Sequence, residues 1–112
     1  HKVASMDPTV LPARTVLQMA VNNGARALGL AGKVGEVAAG KWADLIVVDF
    51  QQPHLTPAYD PLSQLVYAAR GADVRHSIIH GRLVMENRCL LTLDVEEIIH
   101  HARKFSRIIR PN

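Results

Sequence analysis

Gly35-Glu36-Val37-Ala38-Ala39-Gly40-Lys41-Trp42-Ala43-Asp44-Leu45-Ile46-Val47-Val48-Asp49 is the most informative run in the chain. Glycines punctuate its first half. Its second half is an unbroken apolar, β-branched block between two aspartates. β-Branched side chains fit an extended strand. No polar residue alternates within the block, so it reads as a strand buried on both faces.

Working outward, residues 51–61 contain Pro53, Pro57 and Pro61 and form a loop. Asp60-Pro61 then opens a short helix near 60–69, with Asp60 as N-cap and Pro61 at the first helical position. Val74–His80 and Leu83–Met85 flank Gly81-Arg82, which predicts a hairpin with Gly81 at positive φ. Asn87-Arg88 makes a second turn, followed by a minimal third strand at Cys89–Leu91. Upstream, Asp7-Pro8 favours extended or turn geometry. Pro12 opens a helix carrying Val16, Leu17, Ala20 and Val21 at helical spacing. Asn22-Asn23-Gly24 is a candidate helix end, and a short helical piece at Ala25–Leu28 precedes Gly29.

The closing segment is the most fully specified element. Asp94 and Glu97 have capping-box spacing, and Leu93 and Ile98 take the positions of a hydrophobic staple. Ile98, Ala102, Phe105 and Ile109 form one apolar stripe. Glu96 and Glu97 lie at the positive end of the helix dipole, Arg107 and Arg110 at the negative end, and Pro111 stops the helix.

The 112 residues make one small domain with a modest core. Aromatic content of 4% leaves little for a base-stacking surface, and a formal charge of +3 is too mild to indicate nucleic acid or membrane. Cys89 is the only cysteine, so no internal disulfide forms, in keeping with a cytoplasmic protein. No apolar run is long enough to span a bilayer. The opening His1-Lys2-Val3-Ala4-Ser5, without an initiator Met, gives the expectation of a segment of a longer protein.

The run at 35–49 resembles the amidohydrolase superfamily pattern G-x-[IVL]-x-x-G-x-x-A-D followed by an apolar strand. Its neighbours agree in order: Asn23-Gly24-Ala25-Arg26-Ala27-Leu28-Gly29 upstream, then Pro53-His54-Leu55-Thr56-Pro57, Asp60-Pro61-Leu62-Ser63-Gln64-Leu65-Val66-Tyr67 and Val74 to Gly81-Arg82 downstream. The chain is most similar to the methylthioadenosine/S-adenosylhomocysteine deaminase and triazine chlorohydrolase-like branch. It departs from that branch at Val21, where Thr is usual, and at Ser77, where an inward Val is usual.

The resemblance implies an α+β chain from the C-terminal part of a (β/α)8-barrel hydrolase. Residues 1–31 would supply the last barrel helices. Residues 32–93 would form the C-terminal share of a composite β-sandwich, and 94–112 a closing helix. The intact enzyme would hydrolyse a C–N or C–Cl bond on a purine-like or triazine ring with water activated by zinc or iron. The family's metal ligands precede this segment, and no His-x-His occurs here. No catalytic, cofactor-binding or metal-ligating residue is therefore assigned, and the chain alone is expected to be inactive. Its expected partner is the N-terminal remainder of the same enzyme or a second copy, through exposed strands and the first helix. A free-standing α+β interaction module derived from such an enzyme is the alternative.

His76 and His80, four apart on a strand, share a face, but ligation needs a further donor. Two surface histidines is the simpler reading. His100 and His101 are adjacent on a helix and point apart, and His1 is terminal. His54 is either a plain loop residue or a side chain near the substrate entrance of the intact enzyme. Asp44 and Asp49, across a strand from each other, are expected to make turn hydrogen bonds rather than share a proton. Arg103, Lys104, Arg107 and Arg110 read as a solvated helix face, and Cys89 as a buried, inert thiol.

Overall fold

The computed structural model describes residues 2–7 and 9–109. Expectations placed on His1, Pro8, Arg110 and Pro111 lie outside the described residues. The architecture is α+β: helical segments in the first third, a four-stranded antiparallel sheet in order β1-β2-β3-β4, and a long final helix.

After the short α1 (Lys2–Ser5), α2 spans Ala13–Gln18 with Pro12 as its extended N-cap. The helix does not end at Asn22-Asn23-Gly24. It widens into a π-helical turn over Met19–Asn23 and continues as α3 (Gly24–Ala27), with Gly24 in right-handed helical geometry at φ −57 and ψ −49. One wide turn absorbs the offset that a break would otherwise relieve. The actual end lies at Gly29, where φ is 70. There the Leu30 N–H donates to the Ala25 carbonyl at 2.8 Å and the Gly29 N–H to the Arg26 carbonyl at 3.0 Å, the paired bonds of a Schellman cap.

β1 is Leu45–Val48 and pairs antiparallel with β2 (Val74–Ile79), with a bulge at Val47/Val48. It is an edge strand. Ile46 is 62% and Val47 49% exposed, so burial on both faces is not achieved within this chain. The sequence specifies an apolar strand, but the chain supplies no second layer to cover it.

β2 turns into β3 (Arg82–Glu86) through His80 and Gly81, both at positive φ as a two-residue primed turn requires. Asn87 and Arg88 repeat that geometry before β4 (Cys89–Leu90). Ser77, opposite Ile46 and Met85, is half-buried. Cys89 is exposed rather than buried, because β4 is two residues long and forms the far edge of the sheet.

α4 (Pro61–Tyr67) is capped as expected: the Asp60 carboxylate accepts from the Leu62 N–H at 3.2 Å and the Ser63 N–H at 3.3 Å. α5 spans Val95–Ile109, and the Glu97 N–H donates to the Asp94 carboxylate at 3.0 Å. No residue of α5 is buried. Among the described residues the buried apolar ones are Ala13, Ala25 and Leu55, and of the large side chains only Leu55 is fully enclosed.

Candidate functional site

The one buried charged residue among those described is Asp73, 5% exposed, at the end of a 3-10 turn (Gly71–Asp73) leading into β2. Its Oδ2 accepts from the Arg70 N–H at 2.7 Å and lies 2.9 Å from His54 Nε2. The His54 hydrogen bond and then the Arg70 N–H hold the Asp73 carboxyl below the usual carboxylate value. Burial opposes this shift without cancelling it, since both partners favour the charged form.

His54 sits in a 3-10 turn (Pro53–Leu55) whose Leu55 is the enclosed side chain. The Asp73 carbonyl accepts from the Asp49 N–H at 2.8 Å. Asp49 in turn accepts from the Gln51 N–H and the Gln52 side chain, both at 2.9 Å, and Arg75 lies 3.7 Å away. The end of β1, the proline loop and the start of β2 are thus tied at one polar junction. His54 is fixed there from the loop, pointing to Asp73.

A second junction lies at the opposite end of β1. Asp44 accepts from the His80 N–H at 2.7 Å, and the Ala43 carbonyl from the Gly81 N–H at 3.0 Å. The His80 ring packs 4.4 Å from Trp42, and Lys33 lies 5.1 Å over the same indole. Lys41 donates to the Gly32 carbonyl at 2.6 Å and pairs with Glu36 at 3.0 Å. Asp49 therefore makes a local turn hydrogen bond, as the sequence suggests, whereas Asp44 reaches across to the hairpin turn 36 residues on, a long-range bond that local sequence does not specify.

Among the described residues the histidines do not assemble. His76 is half-buried on β2, whereas His80 leaves the strand at φ 50 and joins Trp42, so the two do not share a strand face. The rings of His100 and His101 are 5.9 Å apart and tilted by 56° on exposed α5. Asp73 escaped the sequence reading. The signal available was Arg70-Gly71-Ala72-Asp73, an acid three residues past a turn start, directly before a strand.

The fold and these junctions define the class of chain: a small α+β segment whose polar side chains hold loops to a sheet. The chain matches the Amidohydrolase family over residues 1–84 and belongs to it. It is 60% identical over 111 residues to a 5-methylthioadenosine/S-adenosylhomocysteine deaminase of Syntrophobacter fumaroxidans, covering 99% of this chain and 25% of that protein. It is 52% identical over 103 residues to a 5'-deoxyadenosine deaminase of Methanosarcina acetivorans, covering 92% and 23%. An adenosine deaminase structure from Xanthomonas campestris with bound zinc superposes at a TM-score of 0.92 and 37% identity over 97% of this chain and 25% of its own. Atrazine chlorohydrolase from Arthrobacter aurescens, in complex with zinc, superposes at 0.77 and 23% identity over 89% and 23%, a likeness of fold alone. The chain spans about a quarter of the length of the curated relatives it matches.

The zinc of those neighbours does not fit the residues described here. A zinc site needs three or more protein donors in convergence. Among the described residues no three His, Cys, Asp or Glu side chains gather, and His54 and Asp73 are occupied with each other. Among the described residues no helix is long and apolar enough to cross a membrane.

Proposed function

We propose that this chain is the C-terminal structural segment of a metal-dependent hydrolytic deaminase acting on a purine-like ring, and that it is inactive by itself. The observation carrying this reading is 60% identity over 99% of the chain to a deaminase of which the chain covers only 25%. The metal, zinc or iron, and the ring-binding residues then belong to the other three quarters of the enzyme. Residues 1–31 close the barrel wall, 32–93 complete a sandwich sheet, and 94–112 form the closing helix.

The partner in this reading is polypeptide: the N-terminal remainder of the enzyme or, without it, a second copy. β1 supports this. Its outer edge has free backbone groups, and Ile46, Val47 and, on the neighbouring helical turn, Val21 are exposed. Open apolar edges invite pairing. The interface should exceed the roughly 1,200 Å² of stable complexes. The single cysteine is in keeping with a cytoplasmic enzyme.

The test is complementation. The Syntrophobacter relative is truncated where similarity to this chain begins, and ammonia release from methylthioadenosine and adenosylhomocysteine is measured with zinc present. Each piece alone should be silent and the mixture active. Turnover by the pure 112-residue chain, or a mixture that binds but stays silent, would remove the proposal.

A further inference from the structure

The wide helical turn at Met19–Asn23 and the glycine-punctuated loop after α3 face each other across a cavity of about 280 Å³. Asn22 and Arg26, one helical turn apart, line one wall. Ala31, Gly32, Glu36 and Lys41 line the other. Wide turns of this kind recur at functional sites.

The two walls are held together. A Cβ at Gly35 would meet the Asn22 Oδ1 at 3.2 Å, so the loop lies directly against the helix. Lys41 reaches back to the Gly32 carbonyl at 2.6 Å and pairs with Glu36 at 3.0 Å, which neutralises both charges within the loop. Arg26 differs. Among the described residues its guanidinium has no hydrogen-bond or ion-pair partner. With Lys41 and Glu36 cancelling, the lining keeps the positive charge of Arg26. Ala31 and Gly32 are central in a turn that the Lys33 N–H closes onto the Leu30 carbonyl at 2.9 Å. Their own N–H groups make no backbone hydrogen bond among the described residues.

We propose that this cavity binds a small oxyanion, a carboxylate or phosphate group, with Arg26 as its anchor. A planar guanidinium offers parallel N–H donors that match either group. Unpaired N–H groups of a turn add donors where an anion settles. The volume lies at the small end of ligand cavities, which begin at about 300 Å³, and suits a small anion. The proposal does not depend on the deaminase reading.

Proton–nitrogen correlation spectra of the 112-residue chain test this, during titration with sodium phosphate or sodium acetate against sodium chloride at equal ionic strength. Saturating shifts should appear at the Ala31 and Gly32 amides and the Arg26 side chain with phosphate or acetate, and not with chloride. The anion that saturates at lower concentration identifies the group. Arg26→Gln, at an exposed position with helix propensity kept, should leave the rest of the spectrum intact and weaken binding by about tenfold or more, because a charge-assisted bond is lost. Arg26→Lys keeps the charge without the fork and should fall between the two. Arg103→Gln on α5 should bind like the parent. Equal shifts with chloride overturn the proposal. So do shifts centred on Arg103, Lys104 and Arg107, or an Arg26→Gln chain that binds as tightly as the parent.

Discussion

Leu55→Ala tests whether the proline loop is a packed part of the fold or a surface excursion. Leu55 is 0% exposed and is the only large side chain fully enclosed among the described residues. Truncation removes three carbons from a site with no access to water and leaves a cavity. Losses at such sites run about 2–5 kcal/mol, and a mid-range value of about 3 kcal/mol applies to a leucine held by a short, hydrogen-bonded turn. A domain of this size has a total of about 5–15 kcal/mol. With Ala13 and Ala25 the only other buried apolar residues among those described, this chain lies toward the lower end. Urea unfolding followed by far-ultraviolet circular dichroism should show the midpoint fall by about 1–2 M, given a slope of about 2 kcal/mol per molar. Ile46→Ala is the control. Ile46 is 62% exposed, so its loss should shift the unassembled chain by less than about 0.5 kcal/mol. Equal midpoints for the two variants would refute the packing argument, because enclosure would then have no energetic consequence.

Three further outcomes follow from the geometry. The Asp73 carboxyl is held below its usual value near 3.8, so its contribution is present above that value and is lost as pH falls through the lowered one; Asp73→Asn should lower stability at neutral pH and flatten the acid limb of a urea-midpoint profile, and an unchanged limb would separate Asp73 from acid unfolding. Gly35→Ala should cost about 1 kcal/mol or more in thermal or urea unfolding, since φ is +102 and an added Cβ would meet the Val21 carbonyl oxygen at 3.3 Å; a neutral result would show that the loop moves freely off the helix. Cys89 in the folded chain should react with a disulfide reagent at nearly the rate of the unfolded chain, and strong protection would show that the β4 edge is covered.

Local chemistry was legible wherever a few neighbouring residues settle the matter. Asp60-Pro61 and Asp94 mark helix starts because their carboxylates reach N–H groups two and three residues on. Gly81 and Asn87 mark the tight turns, and Asp49 after β1 makes the turn bond expected of it. The family was legible because its pattern records those same local needs in a fixed order.

What the sequence could not supply is whatever depends on residues distant along the chain. The pairing of His54 with Asp73 joins positions 19 apart and exists only because the proline loop folds back beside the entry to β2. The helix passes through Gly24 because a wide turn at Met19–Asn23 accommodates it, which local propensity does not encode. Hydrophobicity alone calls for burying both faces of β1, yet burial is a property of neighbours, and the described residues leave Ile46 and Val47 62% and 49% exposed. The sequence by itself determined the strands, the hairpin turns and most of the helix starts, and the family to which they belong. The tertiary structure decided which of those segments are covered, because only assembly in space removes a side chain from water.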